Sequence, residues 1–217
     1  MTLTEQLQEF RNNFRQNVDE TIQETMGAAT AALKASGILD SVVTEGQQAP
    51  DFTLPDVNGQ PVRLSDKLKE GSVVVSFYRG QWCPYCNLEL RALQNALPDF
   101  QKRGAQLIAI SPQTPDNSLS TTEKNELTFD VLSDVGNVVA REYGLVFILP
   151  EELRPIYSSF GIDLPAHNGD DAFELPIPAT YVISQDGAIA LASADADYVN
   201  RLEPDAIIRA LDELNAA

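Results

Sequence analysis

Both cysteines of this 217-residue chain, Cys83 and Cys86, fall within one short stretch, "SFYRGQWCPYCNLELRALQ", Ser76 to Gln94. A thiolate can act as a redox nucleophile or as a metal ligand. A closed zinc site needs four ligands, usually Cys or His. The sequence adds only His167 to the pair, so the ligand count argues against zinc, and no cofactor is expected. The C-x-x-C spacing then points to a dithiol that cycles through a disulfide. A buried, inert pair is the alternative reading.

The flanking residues favour chemistry. Val73 to Tyr78 reads as a buried strand, and a helix follows from about Cys83 to Lys102 with Leu88, Leu90, Leu93, Leu97 and Phe100 toward the core. Pro98 is expected to kink it or end it early. Cys83 then sits at the helix start, where unpaired N–H groups and the helix dipole lower a thiol pKa from about 8.5 to between about 3.5 and 7.5. Cys86 follows one turn later on the same face, near enough for a strained disulfide. Pro84 fixes φ between them and suits the first helical turn. Cys83 is expected to be exposed and to attack, with Cys86 pointing into the fold to resolve.

Other side chains around the pair have two readings each. Arg79 is either a cation for the thiols or a surface arginine. Trp82 and Tyr85 are either an apolar rim for partner polypeptides or local packing. His167, in "PAHNGDD", reads as a solvated loop residue. Asp197 and Tyr198 are expected to anchor the end of a hairpin without a catalytic role, and Arg201 is a weaker candidate cation.

The remaining elements must position this stretch. Residues 2–36 read as helix, opened by a Thr2/Glu5 capping box and broken at Gly27. Leu3, Leu7, Phe10, Phe14, Val18, Ile22 and Met26 form one apolar stripe, which packs on its own domain or serves as a homodimer contact. Asn58-Gly59 marks a hairpin, and Gln106 to Ser111 a second buried strand. "PQTPDNSLST" reads as a loop, Phe129 to Leu132 as a short strand, and Gly136 to Tyr143 as a helix. Pro150 to Asp171 reads as an irregular insertion. A hairpin, Thr180 to Ser184 and Ala188 to Ala192, precedes a last helix, Asp205 to Leu214. The order predicts an α/β fold, a mixed sheet covered by helices on both faces.

Composition narrows the function classes. Apolar residues make up 43% of the chain, enough for a real core. The formal charge of -17 repels nucleic acid and anionic membrane surfaces, which are discounted as partners. No apolar run approaches the roughly 20 residues that span a bilayer. The N-terminus, "MTLTEQLQEF", lacks the features of a secretory signal. A cytoplasmic location is therefore expected, where a C-x-x-C pair is redox-active more often than structural.

An ordered set of motifs adds a resemblance. "APDFTLPDVNGQPVRLSD", "VVVSFYRGQWCPYCNLEL", "LIAIS", "LSD", "YGL" and "ATYVISQDG" together resemble the alkyl hydroperoxide reductase / thiol-specific antioxidant superfamily, the peroxiredoxins. The resemblance runs from Glu45 to the C-terminus, and "CPYC" is also the active-site string of glutaredoxins. It implies an N-terminal helical extension (1–44) and a thioredoxin-like domain of peroxiredoxin type (45–217), with an N-terminal β-hairpin. It implies a thiol peroxidase whose disulfide is reduced by thioredoxin or glutathione. It also implies a cis Pro178 opposite the thiols, with Ile177 before it. The pattern departs at three places. Beside Cys86, which keeps the peroxidatic position, Cys83 replaces the family's threonine and Arg79 replaces its proline. The later catalytic arginine is also missing near Pro178. These losses keep open a dithiol–disulfide oxidoreductase, and, outside enzymes, a redox-sensing interaction protein.

Overall fold

The structure is a computed structural model and describes residues 1–216. Its helices, in chain order, are α1 (Leu3–Asn17), α2 (Glu20–Ala35), α3 (Leu64–Lys67), α4 (Pro84–Gln101), α5 (Pro115–Asn125), α6 (Val138–Glu142), α7 (Arg154–Ser159), α8 (Leu164–Asn168) and α9 (Pro204–Ala216). The strands are β1 (Thr53–Pro55), β2 (Pro61–Arg63), β3 (Val73–Phe77), β4 (Gln106–Ser111), β5 (Asp130–Ser133), β6 (Val146–Ile148), β7 (Glu174–Pro176), β8 (Ala179–Ile183) and β9 (Ile189–Ala194).

The central sheet runs β5-β4-β3-β8-β9. β3, β4 and β5 are parallel, and β8 and β9 are antiparallel to their neighbours. Every residue of β3 is buried, Ser76 included, which explains why its other four side chains are apolar. Val75 pairs with Ile108 on one side and with Tyr181 on the other. One face packs Val75, Phe77, Ile108, Tyr143 and Tyr181 together. The other packs Val74 against Leu93, Leu97 and Phe100 of α4 and Ile207 and Leu211 of α9. β1 and β2 form the expected hairpin, with Gly59 at a φ of 76°.

Four expectations change. The N-terminal break falls at Val18–Asp19, not at Gly27, which lies inside α2. Asp19 accepts from the Thr21 N–H at 2.9 Å and starts a new helix. An N-cap of this kind is worth about 1 kcal/mol, whereas a helical glycine merely costs about that much. Pro98 does not end α4 early; the helix runs on to Gln101, close to the expected limit at Lys102. "PQTPDNSLST" contains the start of α5, with Pro115 in its first turn. The hydroxyls of Ser120, Thr121 and Thr122 donate to the carbonyls four residues back, so this helix has few apolar positions to reveal it. The region Pro150 to Asp171 is ordered as a 3-10 turn followed by α7 and α8. Its Leu153, Tyr157 and Leu164 bury against Leu149, Leu175 and Ala29 of α2.

Candidate functional site

The loop leaving β3 is held before the helix begins. The Gln81 N–H donates to Gln113 Oε1 at 2.9 Å, and Asn87 Nδ2 donates to the Gln81 carbonyl at 2.8 Å. Asn125 of α5 donates in turn to Asn87 Oδ1 at 2.9 Å. Gly80 has a φ of 152°, and a Cβ built there would lie 2.3 Å from Trp82 Nε1, so the turn accepts only glycine. Cys83 caps α4, and Pro84 is the first helical residue.

Both thiols are free and buried, Cys83 being 2% exposed and Cys86 0%. The expectation of an exposed Cys83 is therefore corrected. The N-terminal helices cover it. Phe10 of α1 meets Tyr85 edge-on at 5.0 Å, and Phe14 meets Phe160 at 6.1 Å. Beneath this roof lies a cavity of about 190 Å³, walled by Cys83, Arg79, Trp82, Tyr157, Phe14 and Phe160. Cys86 is not part of that wall.

Arg79 is 2% exposed, which removes the surface reading. Its guanidinium lies 4.4 Å from the Tyr198 ring centre and 5.0 Å from that of Trp82, and it donates to the Tyr157 hydroxyl. Trp82 packs on Tyr157 at 5.6 Å, and its Nε1 is buried without a partner. Tyr85 is 5% exposed and packs between Phe10 and Tyr198, so it forms local packing and not an open rim.

Arg201, from the segment between β9 and α9, reaches the pair from the other side. It donates to Cys86 Sγ at 3.4 Å and to Glu89 Oε2 at 2.7 Å, and both members of that ion pair are almost fully buried. Pro178 is buried and lines both a cavity beside Arg79 and one that holds Glu89 and Arg201. Its peptide bond is trans, the form favoured for X–Pro by about 0.5–1 kcal/mol, so the cis expectation does not hold. His167 lies in α8 instead of a loop, half-buried, with its carbonyl accepting from the Thr114 N–H at 3.0 Å.

The electrostatics separate the two thiols. Burial pushes Cys83 up, but hydrogen bonds from Cys86 and the charges of Arg79 and Arg201 outweigh it and bring its pKa down to about 6. Cys86 is pushed well above the usual thiol range by burial, by its hydrogen bond to Cys83 and by the charge there. Glu89 is raised to about 7 because burial outweighs the attraction of Arg201. The two shifts favour the thiolate at Cys83 and the thiol at Cys86.

Three members of this site carry no sequence signal strong enough to place them. Tyr157 lies within the apparent insertion, and Tyr198 within the turn assigned only to anchoring. Glu89 had one usable clue, a carboxylate three residues after Cys86 on the buried face of a helix.

The family model described as "AhpC/TSA family" matches residues 45–192. The chain belongs to the AhpC/TSA family. The matched span includes both cysteines, Arg79 and Pro178, while α1, α2 and Arg201 fall outside it. Among relatives, the chain is 32% identical over 176 residues to "Peroxiredoxin Q, chloroplastic" of Sedum lineare, covering 81% of this chain and 79% of the relative. It is 32% identical over 169 residues to "Peroxiredoxin Q, chloroplastic" of Arabidopsis thaliana, covering 78% of this chain and 65% of the relative, just under two thirds of its length. The fold matches the crystal structure of Peroxidoxin BcpB from Mycobacterium tuberculosis with a TM-score of 0.62 at 24% identity, covering 80% of this chain and 97% of that one. It also matches Xanthomonas campestris Peroxiredoxin Q with a TM-score of 0.59 at 17% identity, covering 80% and 97%. The architecture is thus the thioredoxin-like fold of peroxiredoxins.

Proposed function

We propose that this protein is a thiol-dependent peroxidase that works through Cys83 and Cys86. Membership of the AhpC/TSA family supports the reaction class. The observation that carries the assignment of roles is that Cys83 walls the half-open cavity while Cys86 does not, and the lowered pKa of Cys83 agrees with it. The Cys83 thiolate attacks one oxygen of the peroxide, the O–O bond breaks, and the other oxygen leaves as alkoxide or hydroxide and takes a proton. Sulfur is oxidised to sulfenic acid. Cys86 then attacks Cys83 Sγ, the sulfenic oxygen departs as water, and a disulfide forms. Two donor thiols restore the pair. Arg79 supports the thiolate and the negative charge that grows on the leaving oxygen, from a buried position where screening is weak.

The contact between Arg201 and Cys86 favours a second reading, with Cys86 as first nucleophile, and the family register of the motif agrees with it. One experiment decides. Each cysteine is changed to Ser, the protein is exposed to substoichiometric peroxide, and sulfenic acid is trapped with a dimedone-type probe. Trapping in Cys86→Ser, with none in Cys83→Ser, supports the first assignment. The opposite result establishes the second. Loss of two thiols per chain in the parent, without dimer-only crosslinking, tests the intramolecular disulfide. If peroxide consumes neither thiol, the protein is not a peroxidase.

A further inference from the structure

Each cycle needs a reductant, and two independent features bear on its chemistry. The first is access. Both sulfurs are buried, and α1 and α2 wall the cavity at Cys83, whereas a mixed disulfide requires bonding distance, about 2.05 Å. A protein reductant would have to lift those helices to bring its own sulfur so close. A small thiol would not.

The second feature is charge. A groove of about 290 Å³ runs between α1, α2 and the segment after β9, and it shares Phe14, Met26, Tyr85 and Tyr198 with the Cys83 cavity. Its charged lining is Arg11, Arg15 and Lys34 against one acid, Asp197. Lys34 is engaged by Asp195 at 3.9 Å and Asp197 at 3.6 Å, whereas Arg11 and Arg15 form no ion pair among the described residues. Burial raises the Tyr85 pKa, and both of these arginines oppose it, so their charge reaches the residue two positions from Cys83. A chain of net charge -17 thus keeps two uncompensated cations in the groove that adjoins its thiols. Charges farther away than about 8–10 Å are largely screened at physiological salt, so the groove and not the net charge governs an anion at contact.

We infer that this groove seats the reductant, and that the reductant is a small anionic thiol, a short peptide bearing carboxylates such as glutathione. The inference rests on the dithiol cycle proposed above. In the step it describes, a donor thiolate attacks Cys83 Sγ, the S–S bond breaks, and Cys86 leaves as a thiolate that takes up a proton. A second donor thiolate then attacks the donor sulfur of the mixed disulfide. It releases Cys83 as thiolate and the donor as its own disulfide. Two donor thiols are oxidised as one protein disulfide is reduced.

The test uses the full chain, oxidised with diamide so that the groove is probed whether or not peroxide oxidises the pair. Reduction is followed by thiol release with glutathione, with its diethyl ester, and with thioredoxin plus its reductase. Each small-thiol rate is normalised to the same thiol's reaction with a model disulfide. Glutathione is expected to outpace the ester by about three- to tenfold, the scale of rate change expected from rim charges. The advantage should shrink as salt rises. Arg11→Glu/Arg15→Glu, and the milder Arg11→Gln/Arg15→Gln, should remove it while leaving the rate of oxidation by peroxide unchanged. Equal rates for glutathione and ester overturn the inference, as does an advantage that survives both double variants. Thioredoxin reducing the protein much faster than glutathione does also overturns it. Failure of the peroxide step alone would instead count against the peroxidase reading and leave the groove result standing.

Discussion

The Arg79 guanidinium lies 4.4 Å from the Tyr198 ring centre, in a box completed by Trp82 and Tyr157. The groups that favour its protonated form are Tyr157, Cys83, Tyr198 and Cys86; none is a carboxylate, and the two tyrosines, raised by burial, are neutral near pH 7. Aromatic faces attract a cation but do not neutralise it. The full counter-charge available is the Cys83 thiolate, so the cation and the nucleophile support one another.

Arg79→Met should therefore raise the Cys83 pKa. Each unit of rise cuts the thiolate population below that pKa about tenfold. Alkylation rate against pH reads the shift directly, and Arg79→Lys should recover part of it. The stability of Arg79→Met should fall between about pH 6 and 9, because the stability that the lowered Cys83 pKa contributes there is lost. An unchanged pH profile would show that Arg79 is packing alone.

Legibility followed the range of each interaction. β3 and the start of α4 were plain because a run of β-branched and aromatic residues and a proline at the helix start are local patterns. α5 was hidden because its turns are secured by hydroxyls instead of an apolar stripe. The helix start at Cys83 could be read, but its burial could not, since Phe10 and Phe14 arrive from a remote helix. Arg201 reaches Cys86 across 115 positions, a distance over which no spacing rule operates.

Arg201 and Glu89 form a pair in which each member is buried and needs the other. Removing one partner of such a pair costs about 3–5 kcal/mol, because a charge is left uncompensated. Arg201→Met should approach that loss in urea unfolding. Glu89→Gln should cost less, since Glu89 is raised to about 7 and a neutral side chain can still accept from Arg201. With Glu89→Leu measured alone as the second single variant, the double variant Arg201→Met/Glu89→Leu should recover much of the loss. If the two single effects simply add, the residues are not coupled as described.

The roof over the thiols should control access. Phe14 touches Phe160 and walls the Cys83 cavity, yet it is only half-buried itself. Phe14→Ala should lower stability by about 1–2 kcal/mol, within the common range for single substitutions. It should speed iodoacetamide labelling of Cys83 at fixed pH without moving the midpoint of the pH profile. A shifted midpoint with an unchanged plateau would mean that Phe14 acts on the charge and not on access.

Stability of the reduced protein should pass through a minimum between about pH 6 and 7, and the sign follows from two opposed shifts. Cys83 is lowered from 9.0 to about 6, so between those values the unfolded chain binds the proton and the native chain does not. Stability from this group is absent below about pH 6, rises with pH above it, and is complete above 9.0. Glu89 is raised from 4.5 to about 7, so in that window the native chain holds the proton that the unfolded chain has released. Stability from this group falls as pH rises from 4.5 to about 7. Urea unfolding under reducing conditions from pH 4.5 to 9 should show the dip. Cys83→Ser should flatten the rise on the alkaline side, and Glu89→Gln the fall on the acid side. Oxidation to the disulfide should remove the alkaline rise as Cys83→Ser does, because the group that titrates there no longer exists. If the alkaline rise survives in Cys83→Ser, Cys83 is not the thiolate of the reduced pair, and Cys86, held by Arg201, becomes the first nucleophile.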